Sequence, residues 1–370
     1  MTARVMPCGA SSYRRLAFGR ASLARPTRAV LQITSICLSV SVSLPAIKNK
    51  RKKLMKHRPL GRSGLTVPPL CFGCNVFGWT VDEAASFRLL DTVLEHGLTF
   101  LDTADVYSRW VPGHGGGESE TIIGKWMKAR GNRDRVILAT KVGMDMGNGN
   151  VGLKPDYITR AVENSLRRLQ TDTIDLYQSH KDDEATPQEE TLAAYDKLIK
   201  AGKVRAIGAS NFSAERLKSA LEIAKANGLP RYESMQPEYS LAERSSYEGA
   251  LERVCEDNDV GVITFFSLAA GFLTGKYRSE ADFAKSPRGA RSIPKYMNAR
   301  GKRILAGLDE VAAETRAEPA AIALAWLMAK PSVTAPIASA TKPEHVATLV
   351  AATRLELTRD QVERLDAASA

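Results

Sequence analysis

The sequence predicts an α/β fold, a closed (β/α)8 TIM barrel with an N-terminal β-hairpin and a long loop after strand seven. Three observations carry that prediction. Eight short β-rich runs, at 70–73, 99–101, 135–141, 173–180, 204–209, 234–236, 261–265 and 333–337, alternate with helical patterns. Several of these runs stop at a polar residue before a loop and a helix, which is the first half of a βαβ unit. No Gly-rich turn follows the first run, so an open doubly wound sheet is only the runner-up.

The elements follow in order. Gly61-Arg62-Ser63-Gly64 between two short apolar pieces reads as a hairpin, placed to plug the amino end of the barrel. Helical patterns then lie at 82–96, 118–128, 154–169, 186–201, 213–226 and 247–258, followed by 302–315, 319–329 and 344–352. Several start with Ser, Thr or Asp ahead of a periodic apolar run, or with Pro in the first turn, as helix starts do. The stretch 266–301 lacks clear periodicity and is rich in Gly, Pro, Ser and Arg, which reads as a long loop, and such loops are usually functional or mobile.

Residues 1–54 stand apart. They hold seven Arg, four Lys and no acidic residue, so the net charge of +11 belongs entirely to them. The remaining 41 basic and 41 acidic residues balance, which argues against a nucleic-acid surface on the folded part. The leader is too polar for a transmembrane helix. Two readings stay open: an organellar transit peptide, or a translated stretch ahead of a start at Met55. Domain one is therefore a non-structural leader, 1–54, and domain two a barrel, 55–370, expected in the cytoplasm or, given a transit peptide, in an organelle. Five cysteines, Cys8, Cys37, Cys71, Cys74 and Cys255, are too sparse for a disulfide framework. Cys71-x-x-Cys74 has no second pair or nearby His to complete a zinc site, and no metal is expected.

Parallel strands bring their carboxyl ends to one rim, and four ionisable residues sit at such ends. Asp102 ends strand two, with Tyr107 in the loop beyond; Lys141 ends strand three; His180 ends strand four. The ordered set Asp102-Thr103-Ala104-x-x-Tyr107, Lys141 and Tyr177-x-x-His180 resembles the tetrad of the aldo-keto reductases, over nearly all of the chain outside the leader. The resemblance implies reduction of aldehydes or ketones to alcohols with NADPH, NADH being conceivable.

The chemistry fits independently. Adding a hydride to a carbonyl puts charge on its oxygen, so the site must supply a proton there. A tyrosine with pKa ~10 is a poor acid near neutrality. A Lys cation ~4 Å away is worth about 4 kcal/mol at a dielectric of ~20, or roughly three pKa units, and is expected to bring Tyr107 down into working range. Asp102 holds Lys141 charged, and His180 orients the carbonyl as a neutral N–H donor.

Phosphates in barrels favour the loops after strands seven and eight. Gly271, Leu273, Gly275 and Lys276 offer backbone N–H groups and a cation; Ser339, Thr341 and Lys342 offer hydroxyls and a cation at a helix start. By the resemblance, Ser210, Asn211 and Gln236 bind the nicotinamide carboxamide and Phe265, replacing a usual Tyr, stacks on the ring. The adenosine end departs from the family: Thr341 stands where many members have Arg, and His345 replaces a common Gln. Trp79 and Trp110, on loops after strands one and two, are placed to form an apolar substrate wall. The substrate is a small carbonyl compound of unspecified type.

Two rivals remain. The potassium-channel β subunits share this fold and tetrad, so a nicotinamide-binding, redox-sensing interaction subunit with little turnover is the alternative. A metal-dependent barrel isomerase needs carboxylates at several strand ends, and Asp102, Asp105, Asp182 and Asp183 cover too few.

Overall fold

The computed structural model describes residues 55–287 and 289–370; the leader and both readings of it lie outside the described residues. Eight parallel strands close into a barrel: Cys71–Gly73, Phe100–Asp102, Ile137–Val142, Ile174–Ser179, Val204–Ser210, Tyr232–Gln236, Gly261–Thr264 and Val333–Ala338. The eighth pairs with both the first and the seventh, which removes every sheet edge. The register sets Lys141 beside Gln178 and Ser210 beside Gln236, so polar residues from different strands meet at one level.

The hairpin pairs Arg58–Pro59 with Thr66–Val67. Its apolar side chains Leu60, Leu65 and Val67 enter the barrel's amino end and pack on Phe100, Leu176 and Ile263 from the strands. Arg58 ties it down, donating to the carbonyls of Met328 and Val333, each at 2.8 Å. At the turn, Gly61 has φ +54°, and a Cβ there would lie 2.2 Å from the Glu233 carbonyl oxygen.

Helices surround the strands, and their starts match the capping residues. The Asp82 carboxylate accepts from Ala85 N at 2.7 Å, and Ser213 and Asn298 cap in the same way. Pro319–Ala329 is buried continuously from Ala320 to Leu327, as its apolar sequence requires. Two features add to the expectation. The long loop after strand seven contains short turns of helix at Ala269–Thr274, Glu280–Lys285 and Pro294–Tyr296. A further helix, Arg359–Ser369, packs against Ala299–Thr315; it starts with a Thr358/Gln361 capping box whose spacing is visible in the sequence. Cys71, Cys74 and Cys255 are buried free thiols. Among the described residues no helix is long and apolar enough to cross a membrane.

The plug makes a stability prediction. Gly61→Ala combines a left-handed backbone with a clash against a neighbouring carbonyl, and should destabilise the barrel by about 2–4 kcal/mol in urea unfolding. An unchanged midpoint would show that the turn can move away from Glu233.

Candidate active site

Strand two ends in Asp102 and strand three carries Lys141, so the closed sheet sets their side chains together inside the carboxyl mouth. The Lys141 Nζ donates to Asp102 Oδ2 at 2.6 Å, to the Thr103 carbonyl at 2.9 Å and to the Tyr107 hydroxyl at 2.9 Å. His180, at the end of strand four, turns its ring edge-on to Tyr107 with centroids 5.9 Å apart. The structure therefore brings Asp102, Tyr107, Lys141 and His180 into one cluster.

The loop that carries Tyr107 is held from beneath. Thr103 Oγ1 donates to Ser119 Oγ, which donates to the Cys74 carbonyl, and Ser108, at φ +73°, donates to the Phe77 carbonyl at 2.7 Å. Below lies a buried ionic cluster in which Glu120 accepts from Arg168 and Thr140. Burial, with the Glu120 charge added, pushes the neighbouring Asp105 carboxyl up to about 8.

Electrostatics in the cluster differ from the expectation in one respect. Burial raises the Tyr107 phenol to about 12; the Lys141 cation opposes this without prevailing, and Asp102 adds to the rise. Desolvation, which the sequence does not display, outweighs the lysine. Burial also acts against the Lys141 ammonium, but Asp102 and Tyr107 together hold it above its usual value. Burial first and the Lys141 cation second press the His180 imidazole well below its usual range, which keeps it neutral. Its Nδ1 is buried and has no hydrogen-bond partner among the described residues.

The remaining expected residues lie at strand ends and on the segments that follow them, at the same mouth. Trp79 stands edge-on to Trp110 at 5.5 Å, and Trp110 edge-on to Tyr107 at 6.1 Å, giving an aromatic wall on one side. Ser210 Oγ donates to the Gln236 carbonyl at 2.9 Å; Asn211, at φ +55°, donates to the carbonyls and hydroxyls beside it, His180 O at 2.9 Å and Ser210 Oγ at 3.1 Å. Phe265 is half-buried with its ring 5.4 Å from that of Phe266.

The two phosphate stretches differ in what they offer. The N–H groups of Gly271, Leu273 and Gly275 donate within their own turn, to Leu268 O, Leu268 O and Phe272 O, and Leu273 is buried. What this stretch presents outward is the exposed Lys276. Ser339 donates to Asn75 Oδ1 at 2.7 Å. Thr341 and Lys342 are exposed, and His345 sits 3.4 Å from Thr341 Oγ1. Burial lowers the His345 pKa, and the Lys276 and Lys342 cations lower it further.

Two residues escaped the sequence reading. The Thr103 carbonyl accepts from Lys141, and no sequence signal marks a carbonyl. Gln178 donates to Asp102 Oδ1 at 3.2 Å. A Gln in the middle of a strand buried along its whole length was the signal that pointed to it.

A neutral buried His180 has a consequence for acid stability. The unfolded chain takes up a proton near pH 6.5 where the folded one does not, so this contribution is present above that pH and lost as pH falls. The stability difference between wild type and His180→Gln should therefore shift by about 1.4 kcal/mol per pH unit between pH 6 and 5, read by urea titration. A pH-independent difference would contradict a buried neutral imidazole.

Comparison with known proteins adds to this geometry. The model of the aldo/keto reductase family matches residues 69–370. The chain is 35% identical over 319 residues to an uncharacterized oxidoreductase, YrpG, of Bacillus subtilis, covering 84% of this chain and 95% of the relative. It is 35% identical over 305 residues to the aldo-keto reductase YhdN of the same organism, covering 80% and 88%. Against the Schizosaccharomyces pombe aldo-keto reductase yakc, whose name carries NADP(+), identity is 30% over 315 residues, covering 81% and 88%. The family match runs through the whole barrel and through every residue of the site from Asp102 to His345, and on that ground the chain belongs to the aldo/keto reductase family.

Proposed function

We propose that this protein reduces aldehyde or ketone carbonyls to alcohols with a nicotinamide cofactor, NADPH in preference to NADH, and that Tyr107 is the proton donor. The observation that carries the reading is the Lys141 ammonium bonded at once to Asp102 and to the Tyr107 hydroxyl, with His180 alongside. The protein has no hydride donor of its own, and the nicotinamide supplies one when bound.

The residues present fit such a cofactor. Ser210, Asn211 and Gln236 line one position beside the tetrad, Phe265 offers an aromatic face, and Lys276 and Lys342 offer cations for phosphate groups. Lys342, an exposed cation in the loop after strand eight, favours a 2′-phosphate, and the name of the yeast relative points the same way.

The chain's own groups then account for the proton. As hydride reaches the carbonyl carbon, the C=O electron pair moves to oxygen. The Tyr107 hydroxyl gives its proton to that oxygen; an alkoxide is a stronger base than a phenolate, so a phenol near 12 still donates downhill. The phenolate left behind lies 2.9 Å from a permanent cation, which stabilises it as it forms. Neutral His180 donates an N–H to the carbonyl and orients it without protonating it. Trp79 and Trp110 shield the substrate side from water. Residues 55–370 carry the whole activity, and the leader is dispensable to it.

Replacing Tyr107 by Phe should lower kcat for carbonyl reduction by about 10²–10⁴-fold while cofactor affinity is retained. Turnover preserved in that variant would remove Tyr107 from the role. For the cofactor, kcat/KM should be higher with NADPH than with NADH, and Lys342→Ala should lower the NADPH value about tenfold, as loss of one charged contact of about 1.4 kcal/mol does, with little change for NADH. A higher kcat/KM with NADH in the wild type would overturn the NADPH assignment.

A further inference from the structure

Asp102 has a second carboxylate oxygen that Lys141 does not use. Two side-chain amides point at this Oδ1: Gln178 Nε2 at 3.2 Å and Gln236 Nε2 at 3.0 Å. A carboxylate paired with an ammonium only accepts hydrogen bonds, so both amides must present nitrogen to it; turning either over would set oxygen against oxygen. Gln236 commits its other N–H to Gln178 Oε1 at 3.0 Å. Both donors of the Gln236 amide are thereby used inside the protein. Its Oε1 is the atom left over, and among the described residues no donor reaches it.

The three side chains are no more than 2% exposed, so the arrangement is held by hydrogen bonds that water scarcely contests. It links four strands: Asp102 on the second, Lys141 on the third, Gln178 on the fourth and Gln236 on the sixth. Gln236 in turn pairs in register with Ser210, whose hydroxyl donates to the Gln236 carbonyl. The leftover acceptor therefore belongs to the group of residues assigned above to the nicotinamide carboxamide.

We propose that Gln178 is a positioning residue for cofactor recognition: by taking the second N–H of Gln236 it leaves that amide acceptor-only, so the site selects the NH2 of the carboxamide. The proposal rests on the cofactor reading of the preceding section. Gln178 touches neither substrate nor cofactor in this scheme. It acts by denying Gln236 a free donor. Without it, one Gln236 N–H stays on Asp102 and the other becomes available to an oxygen of the ligand, and the preference for NH2 weakens.

The test compares binding of NADP+ with binding of its 3-acetylpyridine analogue, in which a methyl group replaces the NH2 and the carbonyl remains. Isothermal titration calorimetry on the full chain gives both Kd values. The wild type should bind the analogue at least about tenfold more weakly, the loss expected for one hydrogen bond left unmade in a dry site. Gln178→Met keeps the length and removes the acceptor; in it the ratio should fall to about threefold or less. A purely structural role would weaken both ligands together and leave the ratio unchanged. Equal affinities in the wild type overturn the proposal without recourse to any variant, as does a full ratio in Gln178→Met. Failure of the wild type to bind NADP+ at all would overturn the cofactor reading itself, and the proposal with it.

Discussion

A lysine ammonium has three N–H groups, and at Lys141 each of them meets an oxygen: a carboxylate, a carbonyl and a phenol. The side chain is completely buried. A cation removed from water at that depth is tolerable only when it is paired and fully hydrogen-bonded, so the three acceptors are obligatory. This requirement joins the ends of strands two and three, sets the loop that follows strand two, and places the Tyr107 hydroxyl. The other oxygen of Asp102 passes the constraint on to strands four and six through two amides. Much of the carboxyl mouth is organised by where one charge has to go.

The same dryness sets the protonation states. Burial favours the uncharged form of every group it reaches, which moves a phenol and an imidazole in opposite directions on the pH scale. Tyr107 is kept protonated and His180 is kept neutral. Both are then N–H or O–H donors at neutral pH, and a carbonyl oxygen gaining charge calls for donors. Lys141 resists this trend because its partners outweigh its desolvation. One site thus holds two neutral donors around a single fixed cation.

The fold was largely readable because each strand ends where its apolar run meets a polar residue, and the helices announce themselves with Asp82, Ser213, Pro155 and Pro319. The clustering of Asp102, Tyr107, Lys141 and His180 was readable for the same reason, since strand ends of a parallel barrel share a rim. What escaped was non-local. Gln178 stands out as a polar residue in a buried strand, but its partners follow only from the register that sets it against Lys141 and Gly208. The Gly271–Gly275 segment looked like a donor of backbone N–H groups, but its tight turns use those groups internally. The balance between burial and the lysine at Tyr107 depends on how deep the phenol sits, which no spacing reveals. The helix Arg359–Ser369 is a different case, for its capping box was in plain view.

The hairpin at the barrel floor has an implication for how the chain comes to be folded. Arg58 is made long before the carbonyls that anchor it, for Met328 and Val333 lie 270 and 275 residues downstream. Leu60, Leu65 and Val67 find part of their apolar surroundings on Ala335 and Ile337. These side chains must therefore wait, incompletely matched, while the residues in between are translated, a situation of high contact order that favours slow closure and sticky intermediates. The moment at which the floor seals is set by emergence of the eighth strand from the ribosome.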